Sequence, residues 1–189
     1  IGGKAAFLTA VGQLRSAADG SLLAETPMVL EYGSPYVKDQ QAWAASDGRA
    51  WSYRFEAKDG KVTAAKAWQV NVPKERYYAA PLWWDGVLYL LSQKGILVAL
   101  SAETGEQLFE QNLGIGGTCY QTPVLAGNVI LAGAESGKCV VFQAGREYKE
   151  VSRPVFEAFK ATPIPEGKRL YIRTTTKGSE KPGLWCLGE

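Results

Sequence analysis

Gly20, Gly60, Gly105, Gly145 and Gly188 recur at intervals of 40, 45, 40 and 43 residues, each closing a similar apolar run. Self-similarity at a period of about 40–45 residues marks a repeat architecture and matches the length of a four-stranded propeller blade. One such unit buries little alone, so each must cover its apolar faces with its neighbours. The period therefore constrains shape far more than chemistry.

The clearest unit opens at Ala80-Pro81 and runs through Pro81-Leu-Trp-Trp, Asp85-Gly86, Val87-Leu-Tyr-Leu-Leu91, Lys94-Gly95 and Ile96-Leu-Val-Ala-Leu100. It closes with Ala102-Glu-Thr-Gly105 and Glu106-Gln-Leu-Phe109. Short apolar runs rich in Val, Leu, Tyr and Trp, separated by glycine turns, predict strands. Asp85-Gly86 and Lys94-Gly95 supply the positive φ that tight hairpins need. Each unit reads as an antiparallel meander of four strands. Further copies open at Ser34-Pro35, Thr122-Pro123 and Thr162-Pro163, and the first residues match the back half of a unit. Proline is tolerated there because the first residue of a strand need not donate to the ladder.

No segment carries sustained apolar spacing at i, i+3, i+4, i+7. Residues 59–69 are alanine-rich, but their place in the repeat calls for a turn and an outer strand. The expected fold is all-β, a β-propeller of four-stranded antiparallel blades, with about three full blades and two partial ones. The 189 residues divide into approximate blades at 1–30 (partial), 31–75, 76–118, 119–158 and 159–189 (partial). Phe109 is expected to plug the space between neighbouring blades, and Trp68 to do the same one unit earlier. A closed propeller has about four to eight blades, so this is read as a piece of a longer protein or a ring completed by a second chain. The opening Ile1-Gly-Gly-Lys4, which runs straight into strand-like sequence, suggests the same.

Several chemistries are excluded or disfavoured. There is no histidine, which removes the commonest general base near neutral pH and the commonest transition-metal ligand. No Ser-His-Asp or Cys-His arrangement can be built. Gly114-Ile-Gly-Gly117 opens no helix and reads as a turn between blades rather than a phosphate cradle. Cys119, Cys139 and Cys186 lack zinc-site spacing. Cys139 and Cys186, in equivalent third strands, are expected to be buried free thiols, with a disulfide left open. Lys+Arg 21 against Asp+Glu 19 is too balanced to imply nucleic acid or anionic lipid. The polar residues 177–182 read as a solvated hairpin tip. No apolar run approaches the roughly 20 residues of a membrane helix.

The unit resembles the pyrroloquinoline-quinone (PQQ)-type repeat: small-Pro at Ala80-Pro81, then Gly86-Val-Leu-Tyr-Leu90, Gly95-Ile-Leu-Val-Ala-Leu100, and Ala102-Glu-Thr-Gly105 to Phe109. The resemblance implies a propeller of seven or eight blades when complete. Its quinone-dependent dehydrogenases carry a vicinal cysteine pair, which this chain lacks. WD40 relatives carry a Gly-His signature, impossible here, and Trp84-Asp85 lies in the wrong part of the unit. The resemblance therefore points to the non-catalytic, BamB-like branch: a scaffold for protein or peptide partners, periplasmic or secreted, with no cofactor. A fragment of a quinone-dependent oxidoreductase and a receptor sensor domain remain as alternatives.

In propellers of this kind, the connections before each blade-opening proline line one face near the central funnel. Here those connections contain Tyr77-Tyr78, Tyr120-Gln121 and Phe159-Lys160. Aromatic rings with polar tips suit recognition surfaces. These six are the candidate partner-binding residues; the alternative is that they cover the ends of the inner strands.

Overall fold

The computed structural model describes residues 1–175 and 183–188; the hairpin tip at 177–182 lies outside them. All described elements are strands, in five separate sheets, each an antiparallel meander in chain order. The chain is a partial β-propeller. No helix among the described residues is long and apolar enough to cross a membrane.

The first sheet comprises β1 (Ala6–Leu8), β2 (Gln13–Ser16) and β3 (Leu22–Glu25). The second holds β4 (Tyr36–Lys38), β5 (Gln41–Ser46), β6 (Arg49–Lys58) and β7 (Lys61–Asn71). The third contains β8 (Leu82–Trp84), β9 (Val87–Leu91), β10 (Ile96–Ser101) and β11 (Gln107–Asn112). The fourth has β12 (Val124–Ala126), β13 (Val129–Gly133), β14 (Cys139–Gln143) and β15 (Glu150–Ser152). The fifth has β16 (Ile164–Glu166), β17 (Arg169–Thr174) and β18 (Gly183–Gly188).

Local turn chemistry sets these hairpins. Asp47-Gly48, Asp59-Gly60 and Asp85-Gly86 each place both turn residues at positive φ. That is the two-residue turn whose twist suits adjoining antiparallel strands. The alanine-rich residues 59–69 form the turn and most of an outer strand, because Asp59-Gly60 reverses the chain and β7 pairs with β6 along its length. Phe55, Val62 and Ala64, from the far part of that long hairpin, pack with Leu14 and Leu23 of the first sheet.

The core lies between sheets. Leu88, Leu90, Val98 and Leu100 face the second sheet, where they meet Trp43 and Trp68. Tyr89, Leu91, Leu97 and Ala99 project from the opposite face onto Ile130, Ala132, Val140 and Phe142 of the fourth sheet. Strand alternation thus buries both faces of β9 and β10, each on a different neighbour. Phe109 is half-buried in that second interface, its ring centroid 6.4 Å from Tyr89 and 6.0 Å from Tyr148. Trp68 is buried and lies against Gly105, where a Cβ would approach the indole to 2.8 Å. Gly105 therefore supplies room for a neighbouring ring as well as a positive φ.

Polar bonds lock the stacking. The indole nitrogens of Trp43 and Trp68 both donate to the Ala102 carbonyl, at 2.9 and 3.0 Å. One sheet on, the Tyr89 hydroxyl donates to the Gly145 carbonyl at 2.8 Å and accepts from its amide at 2.7 Å. Arg153 pairs with Glu150 and donates to the Leu113 carbonyl at 2.7 Å, tying the fourth sheet to the connection before it.

Cys119, Cys139 and Cys186 are free thiols. Cys119 and Cys139 are buried, and loss of water pushes both thiols up to about 12. Cys186 departs from the expectation of burial: it is exposed. It lies on β18, at the edge of a three-stranded sheet, and no sheet among the described residues follows it.

Two predictions follow from this packing. Trp43→Phe and Trp68→Phe should each cost about 1–2 kcal/mol, since Ala102 keeps one donor. The double variant leaves a buried carbonyl unpaired and should lose about 1 kcal/mol more than the sum, read by urea denaturation; simple additivity would show the two bonds to be independent. Second, a thiol reagent at pH 8 should titrate one cysteine in the folded protein, Cys186, and all three of the sequence after denaturation. Because folding raises the buried thiols above their ordinary 9.0, their contribution is intact below pH 9 and is lost as pH rises toward 12.

Candidate partner-binding face

In a four-stranded meander the connections between sheets and the turns joining second and third strands share one end of the molecule. At that end a repeated backbone bond positions the three later connections. The carbonyls of Arg76, Thr118 and Ala158, each five residues before a blade-opening proline, accept the amides of Gln93, Glu135 and Thr175 at 2.8, 2.9 and 2.7 Å. Side-chain hydroxyls link successive connections: the Ala80 amide donates to Thr122 and the Thr122 amide to Thr162, both at 3.1 Å. At Gly33 the neighbouring chain passes so close that a Cβ would lie 3.0 Å from the Tyr77 carbonyl. These segments are held, not loose.

An extended segment sends successive side chains to opposite sides, and that alternation separates the six candidates. Four residues before the proline, Tyr77, Cys119 and Phe159 turn inward and are buried. The Tyr77 hydroxyl donates to the Pro73 carbonyl at 3.0 Å, and burial pushes its pKa upward. Three residues before the proline, Tyr78 and Tyr120 are half-buried and Lys160 is exposed. Gln121, one residue further, is buried; its Nε2 donates to the Phe159 carbonyl at 2.7 Å, while its Oε1 has no partner. Tyr77, Gln121 and Phe159 thus belong to the interior, and Tyr78, Tyr120 and Lys160 face outward.

The outward residues touch one another. Ring centroids of Tyr78 and Tyr120 are 4.9 Å apart, and Lys160 Nζ lies 5.1 Å from the Tyr120 centroid. The array extends to Tyr32, whose ring is 4.9 Å from Tyr78 in an edge-to-face arrangement, with Arg76 Cζ 5.6 Å from its centroid. Sequence reasoning missed Tyr32, although the signal was present. It stands three residues before Pro35, as Tyr78, Tyr120 and Lys160 do before Pro81, Pro123 and Pro163. Offset-stacked or edge-to-face aromatic pairs contribute about 0.5–1.5 kcal/mol beyond area burial, so the file of rings is preorganised.

Electrostatics on this face are locally neutralised. Lys160 pairs with Glu135 at 3.4 Å and Lys94 with Glu75 at 2.8 Å. The Glu31 carboxylate beside Tyr32 raises that phenol's pKa. A polar hollow of about 480 Å³, lined by Glu31, Tyr32, Lys74, Arg76 and others, opens next to the ladder. Another cleft, of about 420 Å³, lies at the opposite end between the second and third sheets and includes Trp43, Arg54 and Trp83. There Lys38 Nζ already covers the Trp83 ring at 3.2 Å, and the Trp43 indole is spent on Ala102. Among the described residues no cluster of three or more acidic, cysteine or histidine side chains is placed to hold a metal ion.

A family model described as outer membrane protein assembly factor BamB, of the PQQ type, matches residues 2–188. No curated protein sequence matches the chain. Among solved structures, Saccharomyces cerevisiae Sqt1 superposes with a TM-score of 0.73 at 16% identity, covering 92% of this chain and 55% of that one. The computationally designed Ika8 protein gives 0.65 at 13% identity, covering 85% and 48%. Quinohemoprotein alcohol dehydrogenase from Comamonas testosteroni gives 0.59 at 16% identity, covering 76% and 29%. At such identities these likenesses show the fold alone. The chain spans between 29% and 55% of the length of these three structures.

Proposed function

Because the chain belongs to the family of the outer membrane protein assembly factor BamB, we propose that it is a non-catalytic propeller scaffold binding a protein or peptide partner outside the bacterial cytoplasm. The observation that carries this reading is the ladder of Tyr32, Tyr78, Tyr120 and Lys160, one residue from each of four successive connections. Rigid aromatic side chains lose little conformational entropy on binding and dominate interface energetics. Here they are aligned before any partner arrives.

The proposed setting is a ring of seven or eight blades. The first sheet leaves Phe7 and Leu22 at 48% exposure, and the fifth leaves Ile164 and Leu184 at 64% and 72%. In the proposed ring further blades cover these faces, contributed by a longer chain or by a second copy. Uncovered apolar sheet faces favour association.

A photo-crosslinking residue in place of Tyr120 should join the protein to a partner in an envelope extract. Tyr78→Ala with Tyr120→Ala should weaken binding of that partner by more than about tenfold, given roughly 2 kcal/mol for a buried aromatic anchor. The melting temperature should fall by no more than about 10 °C with a cooperative transition retained, the loss expected for two aromatic pairs of about 0.5–1.5 kcal/mol each. Unchanged affinity would remove the ladder from the interface. Quinone-dependent dye reduction with an alcohol or sugar would overturn the non-catalytic reading.

A further inference from the structure

The ladder's hydrogen-bonding character restricts what its partner can be, a step that rests on the scaffold reading above. Each outward group of the ladder can donate: the Tyr78 and Tyr120 hydroxyls, the neighbouring Arg76 guanidinium and the Lys160 ammonium. An anionic partner gains little, because Glu135 already faces Lys160 at 3.4 Å and Glu31 lies beside Tyr32. A partner strand needs an open ladder of backbone groups. In these connections the Ala80 and Thr122 amides and the Arg76 and Thr118 carbonyls are already bonded. A partner helix needs a broad apolar groove, whereas this surface is a single file of rings with polar tips.

One backbone form complements such a surface. A polyproline II segment has no internal hydrogen bonds and leaves its carbonyls in solvent. Proline contributes no N–H, so the segment is rich in acceptors and poor in donors. Its pyrrolidine rings offer apolar faces that pack on aromatic rings, the mode by which aromatic-lined grooves hold Pro-rich chains. We infer that the Tyr32–Tyr78–Tyr120–Lys160 ladder receives a proline-rich partner segment in the polyproline II conformation, with tyrosine faces against proline rings and tyrosine hydroxyls donating to its carbonyls. Preformed segment and preformed ladder both lower the ordering cost of the complex.

The test uses the full chain and three fluorescein-labelled decapeptides, followed by anisotropy: decaproline, an alternating Gly-Ser peptide and a glutamate-rich peptide. Decaproline should bind at least about tenfold more tightly than either control. Tyr120→Phe should weaken it by about three- to tenfold through loss of one hydroxyl donor, and Tyr78→Ala with Tyr120→Ala should abolish it. Between 50 and 500 mM salt the affinity should move by less than about twofold, since no net charge is being matched. Equal binding of the Gly-Ser peptide, or preference for the glutamate-rich one, overturns the inference. If decaproline fails while the crosslinked partner still depends on Tyr78 and Tyr120, only the ligand class falls. If that partner is indifferent to both tyrosines, the scaffold reading falls too.

Discussion

The whole structure depends on burial between consecutive sheets. Each sheet has two apolar faces and no other layer to cover them, so the third sheet is stable only because the second and fourth close on it. A fully buried Leu, Val or Phe contributes about 1.5–3 kcal/mol, and β9 and β10 are buried on both sides. Apolar contact alone is non-directional, however, and does not fix how far one sheet slides past the next. The bonds from Trp43 and Trp68 to Ala102, and between Tyr89 and Gly145, supply that missing direction. Each is costly to leave unmade once its carbonyl is buried.

What could be read from the sequence was whatever the backbone demands locally. Proline at a strand opening and Asp-Gly at a hairpin are dihedral requirements, so the strands and their order were legible at Asp47-Gly48, Asp59-Gly60 and Asp85-Gly86. Trp68 and Phe109 were legible as plugs because the closing turn fixes which side of the outer strand faces a neighbour, even though Trp68 lies four residues further from its glycine. The long β6–β7 hairpin accounts for that offset: its far part packs on the first sheet, and a register shift falls between Ser52 and Tyr53.

What could not be read was sidedness. Tyr77-Tyr78, Tyr120-Gln121 and Phe159-Lys160 look alike as dipeptides, yet each splits into one inward and one outward side chain. The split follows from the carbonyl clamp five residues before each proline, which no side-chain pattern announces. Had the offset to proline been the criterion, Tyr32 would have been found with the others. Cys186 illustrates the same limit. Its strand position matches that of Cys139 to within one residue, but burial depends on a neighbouring sheet, and that is not a local property.

On the proposed scaffold reading, the same clamp explains why recognition would fall to this position of the connection. In the three later connections the residues four before the proline are committed to the core, whereas Glu31 in the first is exposed; those at two before it sit against the adjacent segment, as Gly33 and Gln121 show. In those three connections the side chain three before the proline is both fixed by its backbone and free at its tip. Tyr32, Tyr78, Tyr120 and Lys160 can therefore vary without unpacking the core, while their spacing is set by the stacking of the sheets beneath. The proposed binding surface would inherit its geometry from the repeat and its chemistry from a few substitutable side chains, the general way in which sites are grafted on a common fold. Lys160 standing where three tyrosines precede it is the direct case: the ladder keeps its line and ends in a cation.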